Sequence, residues 1–308
     1  MKNPRIIFMG TPDFAVASLE AVLNAGFEVI AVVTAPDKPA GRGLQVNESA
    51  VKKFAVANGI KVLQPLKLKD PSFLSELQEL KADLQIVVAF RMLPEMVWDM
   101  PPMGTINVHG SLLPQYRGAA PINRAIMNGE TETGVTTFKL KHQIDTGDIL
   151  LQRRISIGEN ETAGELHDRM KVVGADLLVE TIQKIVNGDI STITQDQLNP
   201  DQLKHAPKIF TEDCKIDFSK TTAEVHNQVR GLSPFPGAFT TLQNKNCKIF
   251  KTEKRITGPS IPPGEFETDG KQRLSFACAD GYVDVKELQL EGKKRMQVED
   301  FLRGFRKV

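Results

Sequence analysis

Ile6-Ile7-Phe8-Met9 is an unbroken apolar run that stops at Gly10, and a helical pattern begins directly behind it. A short continuous run of this kind fits a strand covered on both faces, as in a parallel sheet with helices packed against it. Thr11 reads as a helix N-cap with Pro12 at the first helical position. Phe14, Val16, Leu19, Val22 and Leu23 then recur at helical spacing until Gly26 ends the pattern. Residues 28–34 form the next strand, 84–89 and 105–109 two more. Asp70-Pro71 opens a helix toward Leu80, and another is expected over 120–127. Residues 35–47 hold two prolines and two glycines, which excludes a regular element there. The alternation predicts an α/β fold with a mostly parallel, Rossmann-like sheet.

A long helical stretch follows Thr162 and breaks at Gly188-Asp189, and the polar segment after it has little periodicity. Residues 245–254, 273–278 and 282–290 read as short strands separated by turn residues, the pattern of a small five-stranded β-barrel. A chain of 308 residues exceeds the usual size of one core. The expected division is therefore a catalytic domain over 1–190, a linker over 191–206 and a C-terminal domain over 207–308.

Composition excludes several classes. With 41% hydrophobic and 25% charged residues, neither disorder nor a collagen-like chain is expected. Apolar runs such as 29–33 and 85–90 are too short to span a bilayer, and the N-terminus shows no secretory h-region. Cys214, Cys247 and Cys278 are odd in number and far apart, giving neither a disulfide framework nor zinc spacing. A cytoplasmic protein without membrane contact is the expectation. Residues 205–308 carry 18 Lys and Arg against 14 Asp and Glu, while residues 1–204 carry 21 against 24. That asymmetry is either fluctuation or a C-terminal module that leans against a polyanion.

The first strand–helix turn, Gly10-Thr11-Pro12-Asp13-Phe14, lacks the second and third glycines of a dinucleotide fingerprint. Pro12 also removes a backbone donor there, so a dinucleotide is not supported. The chemistry sits further on, in Asn107-Val108-His109-Gly110-Ser111-Leu112-Leu113-Pro114, at the end of a strand. Asn107 and His109 are two apart and share one face of that strand. An amide that can donate to a developing oxyanion, beside an imidazole that can handle an amine's proton, suits formyl or acyl transfer. Leu112, Leu113 and Pro114 would form an apolar wall. Against this stands a loop histidine satisfied by local hydrogen bonds. Asp145, in Ile144-Asp145-Thr146-Gly147-Asp148, could orient that imidazole and stabilise its protonated form, or could cap a turn.

Residues 107–114 resemble the N-x-H-G-S-L-L-P signature of the methionyl-tRNA formyltransferase family. Tyr116-Arg117-Gly118-Ala119-Ala120-Pro121-Ile122 resembles its R-G-A-A-P-I stretch, and residues 145–148 its D-T-G-D. Residues 10–14, 36–43, 230–238 and 300–302 match further family segments in the same order. The resemblance implies a formyltransferase fold followed by an OB-like barrel that helps hold tRNA. It implies 10-formyltetrahydrofolate as donor, the α-amino group of methionyl initiator tRNA as acceptor, no metal, and a monomer. By the same resemblance Asn107, His109 and Asp145 are catalytic, with His109 either stabilising the charge of the intermediate or moving the amine's proton, and Ser111, Leu112, Leu113 and Pro114 border the folate. Lys38 and Arg42 would reach the tRNA, and Phe14 would contact the methionine side chain.

Two departures stand out: Leu44-Gln45-Val46 replaces the lysines that often follow Gly43, and Arg91 stands where a small residue is common. Arg91 reads as a solvated surface cation, or as a contact to the folate's glutamate tail. Glycinamide ribonucleotide and sugar-amine formyltransferases are the rival enzymes, and Gly110, Ala119-Ala120 and Thr146/Asp148 side with the tRNA enzyme. A non-catalytic RNA-binding protein would not need the trio, and aromatics for base stacking amount to only 6%.

Overall fold

The computed structural model describes residues 3–40, 45–195 and 202–305. Contacts group them into two compact units that interleave along the chain. One comprises Met1–Arg117, Gly134–Ile155 and Asp168–Lys204, the other Gly118–Thr133, Ser156–His167 and His205–Val308. Among the described residues no helix is long and apolar enough to cross a membrane.

In the first unit β1 (Arg5–Gly10) leads into α1 (Asp13–Asn24) and β2 (Glu28–Val33). Then come β3 (Lys38–Ala40), β4 (Gln45–Asn47), α2 (Ala50–Ala57), β5 (Lys61–Leu63), α3 (Pro71–Glu79), β6 (Leu84–Val88), α4 (Glu95–Trp98) and β7 (Thr105–His109). Past β8 (Arg117–Gly118) and α5 (Pro121–Met127), the chain forms β9 (Glu132–Lys139), β10 (Ile149–Ser156) and α6 (Ala163–Asn187). The seven-stranded sheet runs β10-β9-β7-β6-β1-β2-β5. From β5 to β7 every pair is parallel, and β9 joins β7 antiparallel. Because β2 lies on one side of β1 and β6 on the other, the chain reverses direction across the sheet there, where open α/β sheets take ligands.

Ile6, Ile7, Phe8 and Met9 have no exposed surface, as the apolar run predicts. Ile7 and Met9 share a core with Phe73 and Leu77 of α3 and Val97 of α4. Each such side chain contributes roughly 1.5–3 kcal/mol by leaving water. Gly10 is required by close approach: a Cβ there would lie 2.6 Å from the Cβ of Ala15 in α1.

Two local expectations need correction. The cap of α1 is Pro12, with ψ of 176° and no side-chain cap bond, so the extended backbone persists one residue beyond Thr11. Asp13 then places its negative charge in the first helical turn. The segment over 35–47 is not wholly irregular, since Lys38–Ala40 and Gln45–Asn47 pair antiparallel as a short ribbon. A proline is tolerated on such an edge because it needs no ladder donor. The α3 start matches expectation, with Pro71 at its first turn and Asp70 Oδ1 accepting from Ser72 N at 3.0 Å.

The second unit contains α5, β11 (His205–Ala206), α7 (Thr222–Gly231), β12 (Ala238–Leu242), β13 (Lys245–Arg255), β14 (Phe266–Thr268), β15 (Leu274–Ala277), β16 (Tyr282–Leu290), β17 (Met296–Gln297) and α8 (Val298–Arg303). Its antiparallel sheet follows the path β12-β13-β16-β15-β14, with β17 as a sixth strand against β16. The five strands expected of a small barrel are therefore present, as a half-barrel with one short addition. Gln243 and Asn244 take φ of 48° and 60° in the two-residue turn between β12 and β13, as a twist-matched hairpin requires. Val225 and Val229 of α7 pack into a core with Ile249, Val283, Leu288 and Phe301. Thr221 and Glu224 cap α7 reciprocally, a motif whose loss costs about 1 kcal/mol. The three cysteine thiols are buried and free, and burial pushes Cys247 up to about 12.

Candidate active site

β7 delivers Asn107 and His109. It lies between β6, where Val87 faces Asn107, and β9, where Phe138 faces Asn107 and Thr136 faces His109. The half-buried Asn107 amide makes no hydrogen bond to any described residue, so its donors are available to a ligand. The His109 ring is buried and meets the edge of Phe138, with centroids 6.4 Å apart and planes at 84°.

Both polar neighbours of His109 come from residues with left-handed backbones. His109 Nε2 donates to Tyr116 O at 2.9 Å, and Tyr116 has φ of 59°. On the other side Asp145 Oδ2 stands 3.8 Å from Nδ1, and Asp145 has φ of 55°. Such a backbone costs an ordinary residue roughly 1–2 kcal/mol, and strain of this kind clusters at functional sites. A carbonyl can only accept, so the Tyr116 contact fixes a proton on Nε2. The neutral ring then carries its lone pair on Nδ1, toward Asp145. The bland sequence alternative, a histidine satisfied locally, is half realised: one ring nitrogen is so satisfied and the other faces a carboxylate.

The loop behind the ring hangs on Thr136. Its Oγ1 donates to Ser111 O at 2.7 Å and accepts from Leu113 N at 3.1 Å and Gln152 Nε2 at 3.0 Å. Gln152 Nε2 also reaches Leu113 O at 2.8 Å. Gly147 lets the Asp145 loop close against β9, because a Cβ there would fall 1.6 Å from Lys139 O.

Family models match the chain over residues 4–182, as formyl transferase, and over 208–306, as the formyl transferase C-terminal domain. The methionyl-tRNA formyltransferase of Parabacteroides distasonis is 50% identical over 99% of this chain and 96% of its own length. That of Azobacteroides pseudotrichonymphae is 52% identical over 97% and 95%. The chain belongs to the methionyl-tRNA formyltransferase family. A sugar 3N-formyl transferase, solved in the presence of dTDP and 5-N-formyl-THF, matches with a TM-score of 0.69 at 25% identity, covering 96% of this chain and 100% of that one.

The residues that the family resemblance assigns to folate are not equivalent here. Ser111 is fully buried and donates its hydroxyl to Gln115 O at 2.7 Å, so that hydroxyl serves the loop. Leu113 packs with Phe138 and Ile149 in the core, while Leu112 and Pro114 remain half-buried and able to form a wall. Phe14 is 7% exposed, and its ring lies beside Gly174 of α6, whose Cβ would be 4.0 Å from Cζ. That is a core position with one small face left.

Lys38 lies in β3, and Arg42 falls outside the described residues. The base of that ribbon is anchored by Asp37, which accepts from Gln64 Nε2 at 2.8 Å and pairs with Lys52. The Lys52 ammonium, with help from Gln64, holds the Asp37 carboxyl below its ordinary range. Arg91 is exposed but not simply solvated. Its guanidinium donates to Leu66 O at 3.0 Å and Pro65 O at 2.5 Å, tying the end of β6 to the segment before α3. Partial desolvation lowers its pKa. A cavity of about 280 Å³ lined by Leu77, Lys81, Asp83, Gln85, Met100 and Pro101 lies at the amino-terminal end of β6, the wrong end of the sheet for this chemistry.

Sequence reasoning gave no role to Tyr116, Thr136, Gln152 or Gln195. A signal existed for Thr136: the pair Thr136-Thr137 stands between Val135 and Phe138 in β9, and both are fully buried. A buried hydroxyl in a strand needs a partner.

Proposed function

We propose that this chain transfers the formyl group of 10-formyltetrahydrofolate to the α-amino group of methionyl initiator tRNA, acting as a cytoplasmic monomer, with the reaction centred on Asn107, His109 and Asp145. The observation that carries the reading is the uncommitted Asn107 amide two residues from an imidazole flanked by Asp145, at the carboxyl end of β7. The folate is a substrate and supplies the formyl carbon. Asn107 donates to the oxygen of that formyl group as the neutral amine adds to its carbon. His109 Nδ1, the ring nitrogen left free by Tyr116, takes the amine's proton and passes it to N10 of the folate as the bond from the formyl carbon to N10 breaks and tetrahydrofolate leaves. The Asp145 carboxylate offsets the charge the ring holds meanwhile. Leu112 and Pro114 line the folate side, with Ser111 and Leu113 supporting that loop from beneath. Phe14 contributes to the methionine pocket, and Lys38 and Arg42 contact the acceptor end of the tRNA.

The tRNA acceptor is supported by relatives of about half identity along nearly the whole chain and by the basic balance of residues 205–308. In this reading residues 1–190 carry the chemistry, 191–206 link, and 207–308 help hold the tRNA. The test is an acceptor comparison with the full-length protein and 10-formyltetrahydrofolate. Methionyl initiator tRNA should be formylated far faster than free methionine, because binding of the remote tRNA body positions the amine and raises kcat. Preference for a sugar-nucleotide amine or for glycinamide ribonucleotide would reject the acceptor and keep the chemistry.

A further inference from the structure

Gln195 lies in a polar segment whose sequence shows no periodicity, yet only 5% of it is exposed and its amide is saturated. Nε2 donates to Asp145 O at 3.0 Å and to Gly147 O at 2.6 Å. Oε1 accepts from Arg117 Nε at 3.1 Å and from Arg117 Nη2 at 2.8 Å. Two donors and two acceptor sites are all that a primary amide offers, and all four are used. The segment is itself pinned, since Ile193 and Ile149 exchange backbone hydrogen bonds of 2.8 and 2.9 Å at the start of β10.

What the amide joins matters more than its burial. Asp145 and Gly147 flank Thr146, so Gln195 grips the loop on both sides of one residue and fixes the left-handed backbone that aims the Asp145 carboxylate. Arg117 directly follows Tyr116, the residue whose carbonyl holds His109 Nε2. A closed circuit results: His109, Tyr116, Arg117, Gln195, Asp145, and back to His109 across the 3.8 Å gap. The two groups facing the imidazole are thus tied to each other through two side chains, Arg117 and Gln195.

We infer that Gln195 is a positioning residue for this reaction, setting the spacing of Asp145 from His109 by bridging the Asp145 loop to Arg117. The inference rests on the function proposed above. Gln195 touches neither substrate nor reacting atom and acts through Asp145. Methionine matches glutamine in length and volume but makes none of the four hydrogen bonds, so Gln195→Met isolates the bridge from the packing. Gln195→Glu keeps the acceptors for Arg117 and turns the donor toward the two carbonyls into a second acceptor.

The experiment is a double-mutant cycle in the full-length protein: wild type, Gln195→Met, Asp145→Asn and the pair, with kcat and KM for both substrates. Misplacing a catalytic group by about 1 Å costs on the order of 100-fold, so Gln195→Met should lower kcat by about 10- to 100-fold. Both KM values should stay within about twofold, and Gln195→Glu should not restore kcat. In the Asp145→Asn background the same substitution should cost less than about threefold, because the group it positions is already lost. An equal loss in both backgrounds, or wild-type kcat in Gln195→Met, overturns the inference. If wild type formylates no amine, the functional reading has failed, and the His109 ring resonances decide the inference alone. Gln195→Met should then shift the Nδ1 signal, assigned with His109→Asn, in the direction that Asp145→Asn does, and an unmoved signal overturns it. If Gln195→Met does not fold, Arg117→Met breaks the same bridge from its other end and is held to the same criteria.

Discussion

His109 Nδ1 stands 3.8 Å from Asp145 Oδ2, beyond hydrogen-bond reach and within ion-pair reach, while the other ring nitrogen is already bonded to Tyr116 O. The gap leaves the carboxylate to act on charge rather than as a direct acceptor in the resting ring.

Asp145→Asn therefore tests charge with shape preserved. The backbone bond from Gln195 to residue 145 does not depend on the side chain, so the loop should keep its path. Losing the carboxylate beside a catalytic histidine costs up to about 10⁴ in rate elsewhere, and kcat should fall by roughly 100-fold or more. Folate affinity should change less than about twofold. Near-wild-type turnover in the purified variant would remove Asp145 from the mechanism.

Asn107→Ala removes the donor assigned to the developing oxyanion. Because that amide bonds no described residue, its loss breaks no hydrogen bond among them, and the melting temperature should change little. Deleting one such donor lowers kcat by about 10²–10³. A variant that loses only KM would mean the amide binds substrate and transition state equally.

The placement of Asn107 and His109 side by side was legible because a strand end puts positions two apart on one face, which needs no tertiary knowledge. The buried run of β1 was legible for a similar reason, since an unbroken apolar stretch has few other uses. Long-range bonds to backbone left no such trace. Gln195 meets the carbonyls of Asp145 and Gly147 across about fifty residues of sequence, and no residue pattern at either end announces it. Tyr116 acts through its carbonyl, which any residue would supply, and only its left-handed φ singles it out. The β3–β4 ribbon escaped because neither Lys38-Pro39-Ala40 nor Gln45-Val46-Asn47 carries an alternating apolar pattern in the sequence.

Arg42 lies in sequence between β3 and β4, flanked by Gly41 and Gly43, beyond the anchored pair Asp37–Lys52. If it neutralises a tRNA phosphate, Arg42→Ala should lower kcat/KM for methionyl-tRNA at low salt, and the loss should shrink as salt rises. Folate affinity should be spared. An unchanged kcat/KM at low ionic strength would leave this arginine a solvated bystander.

His226 sets a pH dependence in the second unit. It is 2% exposed, with Nδ1 2.9 Å from Thr252 Oγ1. Burial first, then the Arg230 and Lys254 charges, lower its pKa from 6.5 to about 4, with Glu159 opposing them. The folded ring is therefore neutral over a range in which the unfolded chain binds a proton, so the unfolded state takes up more protons between pH 6.5 and 4. Stability must then rise with pH across that window, being fully present above 6.5 and lost as pH falls toward 4. At 1.36 kcal/mol per unit the contribution is about 3 kcal/mol. His226→Asn keeps a donor near Thr252 and cannot titrate, so denaturant unfolding from pH 7 to 4 should lose about that much less stability than wild type does. Parallel curves for the two proteins would mean that His226 is protonated in the folded state as readily as in the unfolded one.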